Sequence, residues 1–266
     1  MQRFKALLFI LSLSLIAGVM FEREKTSKEE IIVIYDNSVY KAGLENDWGF
    51  SCVIKKEGKT ILFDSGENGS ILLNNMKKMG IDPKEISIVF LSHVHSDHTG
   101  GLFEFLNINP NVKVYVPKSF LEKFKESIIE YGAEVIEIEK ATKIGDNIYS
   151  TGELGTWIKE QSLVIESEGG IVIITGCAHP GITRIVENVK KNFGDRILLV
   201  IGGFHLVGKD AGDVMNVIIN LKKIGVQYIA PCHCSGDAAK ELFKKEFGDH
   251  FIEVGVGRTI EIEKLK

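Results

Sequence analysis

"LSHVHSDHTGG", residues 91–101, places three histidines and an aspartate within the six positions from His93 to His98. The chain holds only seven histidines in 266 residues. The stretch follows "ISIVF" (86–90), an apolar run that reads as a buried β-strand. Neutral imidazole is a common metal ligand, and borderline ions such as zinc favour N, O and S donors. Residues i and i+2 of an extended segment point to the same side, so His93 and His95 are placed to grip one ion. Asp97 and His98 come after the chain turns and reach a second ion nearby, and Thr99-Gly100-Gly101 allow a tight passage into the next helix. Two neighbouring ions share one water, whose pKa falls toward neutral.

The remaining histidines extend the pattern. His179 ends "IVIITGCAH", His205 ends "LLVIGGFH" and His233 nearly ends "YIAPCH"; only His250 lies elsewhere. One histidine at a strand end is best read as structural. Six of the seven at equivalent places, joined by an aspartate, point to a site at the edge where strand ends gather.

Further out, short Ile/Val-rich runs alternate with segments of helical period. Strands are predicted at 31–37, 50–57, 59–66, 86–93, 112–117, 134–139, 161–168, 169–179, 196–205 and 226–233, with a closing strand over 252–263. Helices are predicted at 70–80, 118–132, 182–194, 210–225 and 235–248. The first half is strand-rich with hairpins and the second alternates strand and helix. This predicts the α/β class: two mixed sheets packed on each other with helices outside, a four-layer αββα sandwich. No linker splits the chain internally.

The first 21 residues differ from the rest. Arg3 and Lys5 precede the uncharged run "ALLFILSLSLIAGVMF" (6–21), the pattern of a secretory signal or an N-terminal anchor. The expectation is a signal peptide or membrane anchor over 1–24, an exported or membrane-attached protein, and a folded domain over 25–266. At 44% hydrophobic, 26% charged and a formal net charge of −4, the composition gives no electrostatic reason for a nucleic-acid partner. Cys52, Cys177, Cys232 and Cys234 are too scattered for a disulfide scaffold, and Cys232 and Cys234 lack zinc-ribbon spacing.

"HVHSDH" resembles the His-x-His-x-Asp-His signature of the metallo-β-lactamase superfamily, and "ILFDSG" and "TGGL" resemble the segments around it. "DNSVY", "WGFSCVI", "LSHVHSDHTGGL", "EQSLVI", "TGCAHPGI", "IGGFHL" and "PCHCSG" resemble more closely the branch named after 7,8-dihydropterin-6-yl-methyl-4-(β-D-ribofuranosyl)aminobenzene 5′-phosphate synthase. The resemblance implies the αββα fold and a site for two divalent metal ions. It implies His93 and His95 on the first ion, with His179 as the remaining histidine ligand. Asp97, His98 and His233 belong to the second, and Asp64 orients a ligand histidine. Many hydrolases of this fold carry "TGD" where this chain has "TGCAH". Cys177 therefore either ligates as a thiolate or is an inert buried strand residue. His205 has no counterpart in the simplest pattern; it either moves a proton or binds an anionic substrate group, or is structural.

The leading functional expectation is a hydrolase in which metal-bound hydroxide attacks a small-molecule ester, amide or phosphoester, with Asp97 and His205 as catalytic residues. Zinc is the default ion, and manganese or iron accept the same ligands. The alternatives are a synthase-type transferase, disfavoured by an exported N-terminus, and a non-catalytic metal-binding sensor. Substrate selection is expected from loops 37–49 and 140–160, where Trp48 either lines the pocket or packs.

Overall fold

The computed structural model describes residues 28–265. In chain order it contains β1 (Glu30–Tyr35), β2 (Ser51–Lys56), β3 (Lys59–Phe63), α1 (Gly69–Lys78), β4 (Ile88–Phe90), α2 (Ser96–Thr99) and α3 (Leu102–Ile108). Then come β5 (Lys113–Pro117), α4 (Glu122–Glu130), β6 (Glu134–Ile138), β7 (Lys140–Gly145), β8 (Ile148–Gly152), β9 (Leu163–Ser167) and β10 (Gly170–Thr175). The chain continues with α5 (Ile182–Phe193), β11 (Ile197–Gly203), α6 (Ala211–Ile224), β12 (Tyr228–Cys232), α7 (Asp237–Phe247) and β13 (Thr259–Glu261).

The strands form a seven-stranded sheet, β13-β1-β2-β3-β4-β5-β6, and a six-stranded sheet, β12-β11-β10-β9-β8-β7. Alternation along each strand sends side chains to two different cores. On β1, Ile31 and Val33 face the second sheet, where Leu163, Ile165, Val172 and Ile174 meet them, while Ile32 and Ile34 pack with Leu72 and Met76 of α1. On β10, Ile171 and Ile173 turn the other way, toward Ile185 of α5, Ile218 of α6 and Phe243 of α7. Burying one such aliphatic side chain stabilises the fold by roughly 1.5–3 kcal/mol. Both sheets are therefore sandwiched between helices, as the alternating pattern predicted.

Strands β3 to β6 run parallel, as do β10 to β12. Their C-terminal ends carry Asp64, the 93–98 turn, Cys177 to His179, His205 and His233.

Four expectations change. The 140–160 segment is largely the β7–β8 hairpin, turning at Asn147 with φ 54°. Strand β7 is the polar outer edge of its sheet, so it has little apolar surface to announce itself. Only Thr259–Glu261 of the predicted closing strand pairs in the sheet, on β1. Strand β10 stops at Thr175 rather than running to 179, for a reason that belongs to the site. The 1–24 stretch lies outside the described residues. The expectation of export or membrane attachment is withdrawn: among the described residues no helix is long and apolar enough to cross a membrane.

Candidate metal centre

Two donor clusters meet at the strand ends. His93, His95 and His179 bring one ligand atom each within 4.8 Å of one another, and so do Asp97, His98, Cys177 and His233. In the first, His95 Nδ1 lies 3.1 Å from His93 Nε2 and 3.3 Å from His179 Nε2. In the second, His98 Nε2 lies 3.2 Å from Cys177 Sγ and 3.3 Å from His233 Nε2, which is 3.1 Å from Asp97 Oδ2. His93, His98, Cys177 and His233 are buried, while His95, Asp97 and His179 are half-buried, so the centre opens to solvent on one side.

The ring tautomers follow from the hydrogen bonds. Asp64 is fully buried; its Oδ2 accepts from His98 Nδ1 at 2.7 Å and from the Ser92 hydroxyl at 2.7 Å, and its Oδ1 accepts from Ser92 N. Ser92 Oγ in turn accepts from His93 Nδ1 at 2.9 Å. One carboxylate thus orients a histidine of each cluster, directly and through a hydroxyl. Asn37 does the same for His233. Its amide nitrogen donates to the His233 carbonyl and its oxygen accepts from Gly49 N, so that oxygen also accepts the His233 Nδ1 proton. Asp36 Oδ1 accepts from the His233 backbone N–H.

These bonds leave bare nitrogen lone pairs on His98 Nε2 and His233 Nε2, facing each other at 3.3 Å. Two lone pairs at that distance repel unless a cation lies between them. Tetrahedral zinc with bonds of about 2.0–2.1 Å to nitrogen separates its ligands by about 3.3–3.4 Å. The donor set therefore fits divalent ions. Burial, reinforced by neighbouring histidines, holds His93 well below the usual imidazole range. Burial and then His205 lower His179 to about 4. Both rings are neutral at pH 7, the form that ligates. Burial works to raise Asp97, but the neighbouring His233 and His98 rings overcome it and hold the carboxyl below its usual range.

Glu160 was not singled out in the sequence, although it opens the "EQSLVI" motif. Its carboxylate is buried and collects the N–H groups of the loop after β10. Oε1 accepts from Thr175 Oγ1 at 2.9 Å and from the backbone of Gly176, Cys177 and Ala178 at 3.1, 3.0 and 2.9 Å. Oε2 accepts from His179 N at 2.8 Å. These donors turn to Glu160 instead of a neighbouring strand, which is why β10 ends at Thr175. The chain then passes through Ala178 at φ 57° and delivers Cys177 to the second cluster and His179 to the first. Asp64, His205 and His233 also hold left-handed backbone, at φ 51°, 52° and 49°. Such strain in non-glycine residues costs on the order of 1–3 kcal/mol each and gathers at functional sites.

Every residue singled out as a ligand lies in one of the two clusters, and Cys177 is directed into the second rather than away from it. His205 stands beside the first cluster, its ring 4.5 Å from that of His179. Trp48 overhangs the second: its Nε1 donates to Asp97 Oδ2 at 3.1 Å and its ring lies edge-on to His233 at 5.1 Å. Of the two expected specificity loops, 37–49 reaches the centre through Asn37 and Trp48, while in 140–160 the residue that touches it is Glu160.

Residues 49–233 match the family model of the metallo-beta-lactamase superfamily. The 7,8-dihydropterin-6-methyl-4-(beta-D-ribofuranosyl)-aminobenzene-5′-phosphate synthase of Methanocaldococcus jannaschii is 30% identical, over 85% of this chain and 94% of that protein. The uncharacterised protein MJ0448 of the same organism is 32% identical, over 87% of this chain and 100% of its own length. The crystal structure of Tm1679, a metal-dependent hydrolase of the beta-lactamase superfamily, is 29% identical and superposes with a TM-score of 0.73 over 88% of this chain and 98% of that one. With the clusters, the fold and these relatives in agreement, the chain belongs to the metallo-β-lactamase superfamily, in the branch of that synthase and its relatives.

Proposed function

We propose that the protein is a metal-dependent hydrolase of a small-molecule ester, amide or phosphoester. The observation that carries this reading is the pair of donor clusters with one face open to solvent, where His95, Asp97 and His179 are half-buried. A transferase must keep water from competing with its acceptor; this rim admits water. When bound, two divalent ions supply Lewis acidity and a water of lowered pKa. His93, His95 and His179 would hold the first ion, and Asp97, His98, His233 and Cys177 the second. Asp64, through His98 and the Ser92 hydroxyl, keeps the ligand nitrogens free of protons. Glu160 fixes the loop bearing Cys177 and His179. Trp48 holds the Asp97 carboxylate in place and offers an aromatic wall to the substrate.

A second reading, a synthase-type transferase, draws on the named relative that is 30% identical over 94% of its length. The objection raised by an exported N-terminus no longer stands. One experiment separates the two. Zinc- and manganese-loaded protein is assayed against a panel of esters, lactones and phosphodiesters, and against a dihydropterin methyl diphosphate together with an aminobenzene ribofuranosyl phosphate. Hydrolysis of a panel member, lost on chelation and in Asp97→Ala, supports the hydrolase. No hydrolysis by fully loaded protein, with joining of the two synthase substrates, replaces it with the transferase.

A further inference from the structure

A third convergence lies beside the two clusters. The ligand atoms of Cys177, His205 and Cys234 also fall within 4.8 Å of one another. They come from three successive loops, after β10, β11 and β12, whose parallel register carries Thr175, Gly202, Gly203 and Cys232 to the same edge. The loops are tied to one another. Leu206 N and Val207 N both donate to the Cys234 carbonyl, and Phe204 N donates to Ser235 Oγ. Room for the second sulfur depends on a missing side chain. A Cβ at Gly203 would lie 2.6 Å from Cys234 Sγ and 2.4 Å from the Gly176 carbonyl oxygen. Both sulfurs are buried, and the four cysteines are free thiols. His205 is exposed, so the cluster has a way in from solvent.

We propose that Cys177, His205 and Cys234 form a third metal position, a two-sulfur, one-nitrogen site for zinc or a softer ion, with Cys177 shared between it and the second cluster. Two thiolates and an imidazole suit zinc and discriminate against magnesium, calcium and manganese, which prefer oxygen. Three protein ligands leave the fourth tetrahedral position open. The site makes His205 a ligand in place of the catalytic residue expected from sequence. It also gives a reason for sulfur at position 177, because a thiolate is able to bridge two ions. Cys234 belongs to neither of the first two clusters, so the site stands whether or not the hydrolase reading does.

The test uses the full chain, loaded with Zn2+ under reducing conditions and freed of excess metal. Zinc per chain is measured by elemental analysis for the wild type, Cys234→Ser, His205→Ala and His95→Ala. Each protein is also loaded with Co2+ to read the thiolate-to-cobalt absorption in the near ultraviolet. Cys234→Ser and His205→Ala are each expected to hold one zinc fewer than wild type, and Cys234→Ser to lose part of the thiolate band. Wild-type zinc content in either variant overturns the proposal. The His205 side chain is exposed, so its truncation leaves the core intact even if Cys234→Ser perturbs folding. His95→Ala is the control for the first cluster: undiminished zinc there would count against the two-cluster reading and leave this one standing.

Discussion

Replacing Glu160 by glutamine changes almost no volume, yet the structure predicts a large effect. The carboxylate accepts hydrogen bonds from Thr175 Oγ1 and from the backbone of Gly176, Cys177, Ala178 and His179. Hydrogen bonds to a charged acceptor contribute about 1.5–3 kcal/mol against about 0.5–1.5 for neutral pairs. With the amide oxygen at the Oε1 position, four bonds survive in weaker form; the difference is about 1–1.5 kcal/mol each, and relief of burying a charge offsets part of it, leaving a loss of about 0.5–1 kcal/mol each. The amide nitrogen then faces the His179 N–H, donor against donor, and an unsatisfied buried N–H costs about 1–3 kcal/mol. The sum is roughly 3–7 kcal/mol, a large share of the roughly 5–15 kcal/mol typical of a folded domain. At about 2–4 °C per kcal/mol, the melting temperature should fall on the order of 10–20 °C. Cys177 and His179 ride on this loop, so zinc affinity should fall about 10–100-fold, as for other residues that orient ligands. The assay is thermal unfolding of metal-free protein followed by competitive zinc titration below the variant's transition. A variant with wild-type melting temperature and wild-type affinity would refute the role assigned to Glu160.

Asp64→Asn leaves one acceptor oxygen where two now serve, so an amide NH2 faces either His98 Nδ1 or the Ser92 N–H. Zinc affinity of the second cluster should drop about 10–100-fold, measured by stepwise chelator competition; an unchanged second step contradicts the tautomer argument. The His179 pKa, about 4 when folded, is depressed below its ordinary value by burial. Over that interval the unfolded chain binds more protons than the folded one, so metal-free protein should lose stability as pH falls from about 6.5 toward 4. Denaturant unfolding at several pH values reads this, and His179→Ala should flatten the slope. In a Trp157→Phe background Trp48 is the sole tryptophan. Its contacts with Asp97 and His233 mean that zinc should change its emission; fluorescence indifferent to zinc would place it away from the centre.

The sequence made the αββα layering legible because the buried strands and the helices carry strong periodicity, as in "ISIVF" and the 182–194 segment. The two donor clusters were legible because imidazoles crowd the strand ends. Glu160 was hidden: a lone glutamate before a strand looks like any surface charge until the fold supplies the loop that it gathers. Cys234 was hidden likewise, since its partner Cys177 is 57 residues away and the short spacing to Cys232 drew attention elsewhere. Strand β7 was missed because an outer strand that buries little carries no apolar alternation.

Asp64 touches a histidine of each cluster, one directly and one through Ser92. A cation at His98 Nε2 withdraws electron density from the ring and makes Nδ1–H a stronger donor to that carboxylate, which alters how firmly the same oxygen holds the Ser92 hydroxyl and, through it, His93. Loading of either position is therefore felt at the other, and by thermodynamic linkage the influence is equal in both directions. The two ions should load cooperatively or antagonistically, never as strangers, and neutralising this one side chain should change the coupling between their binding curves.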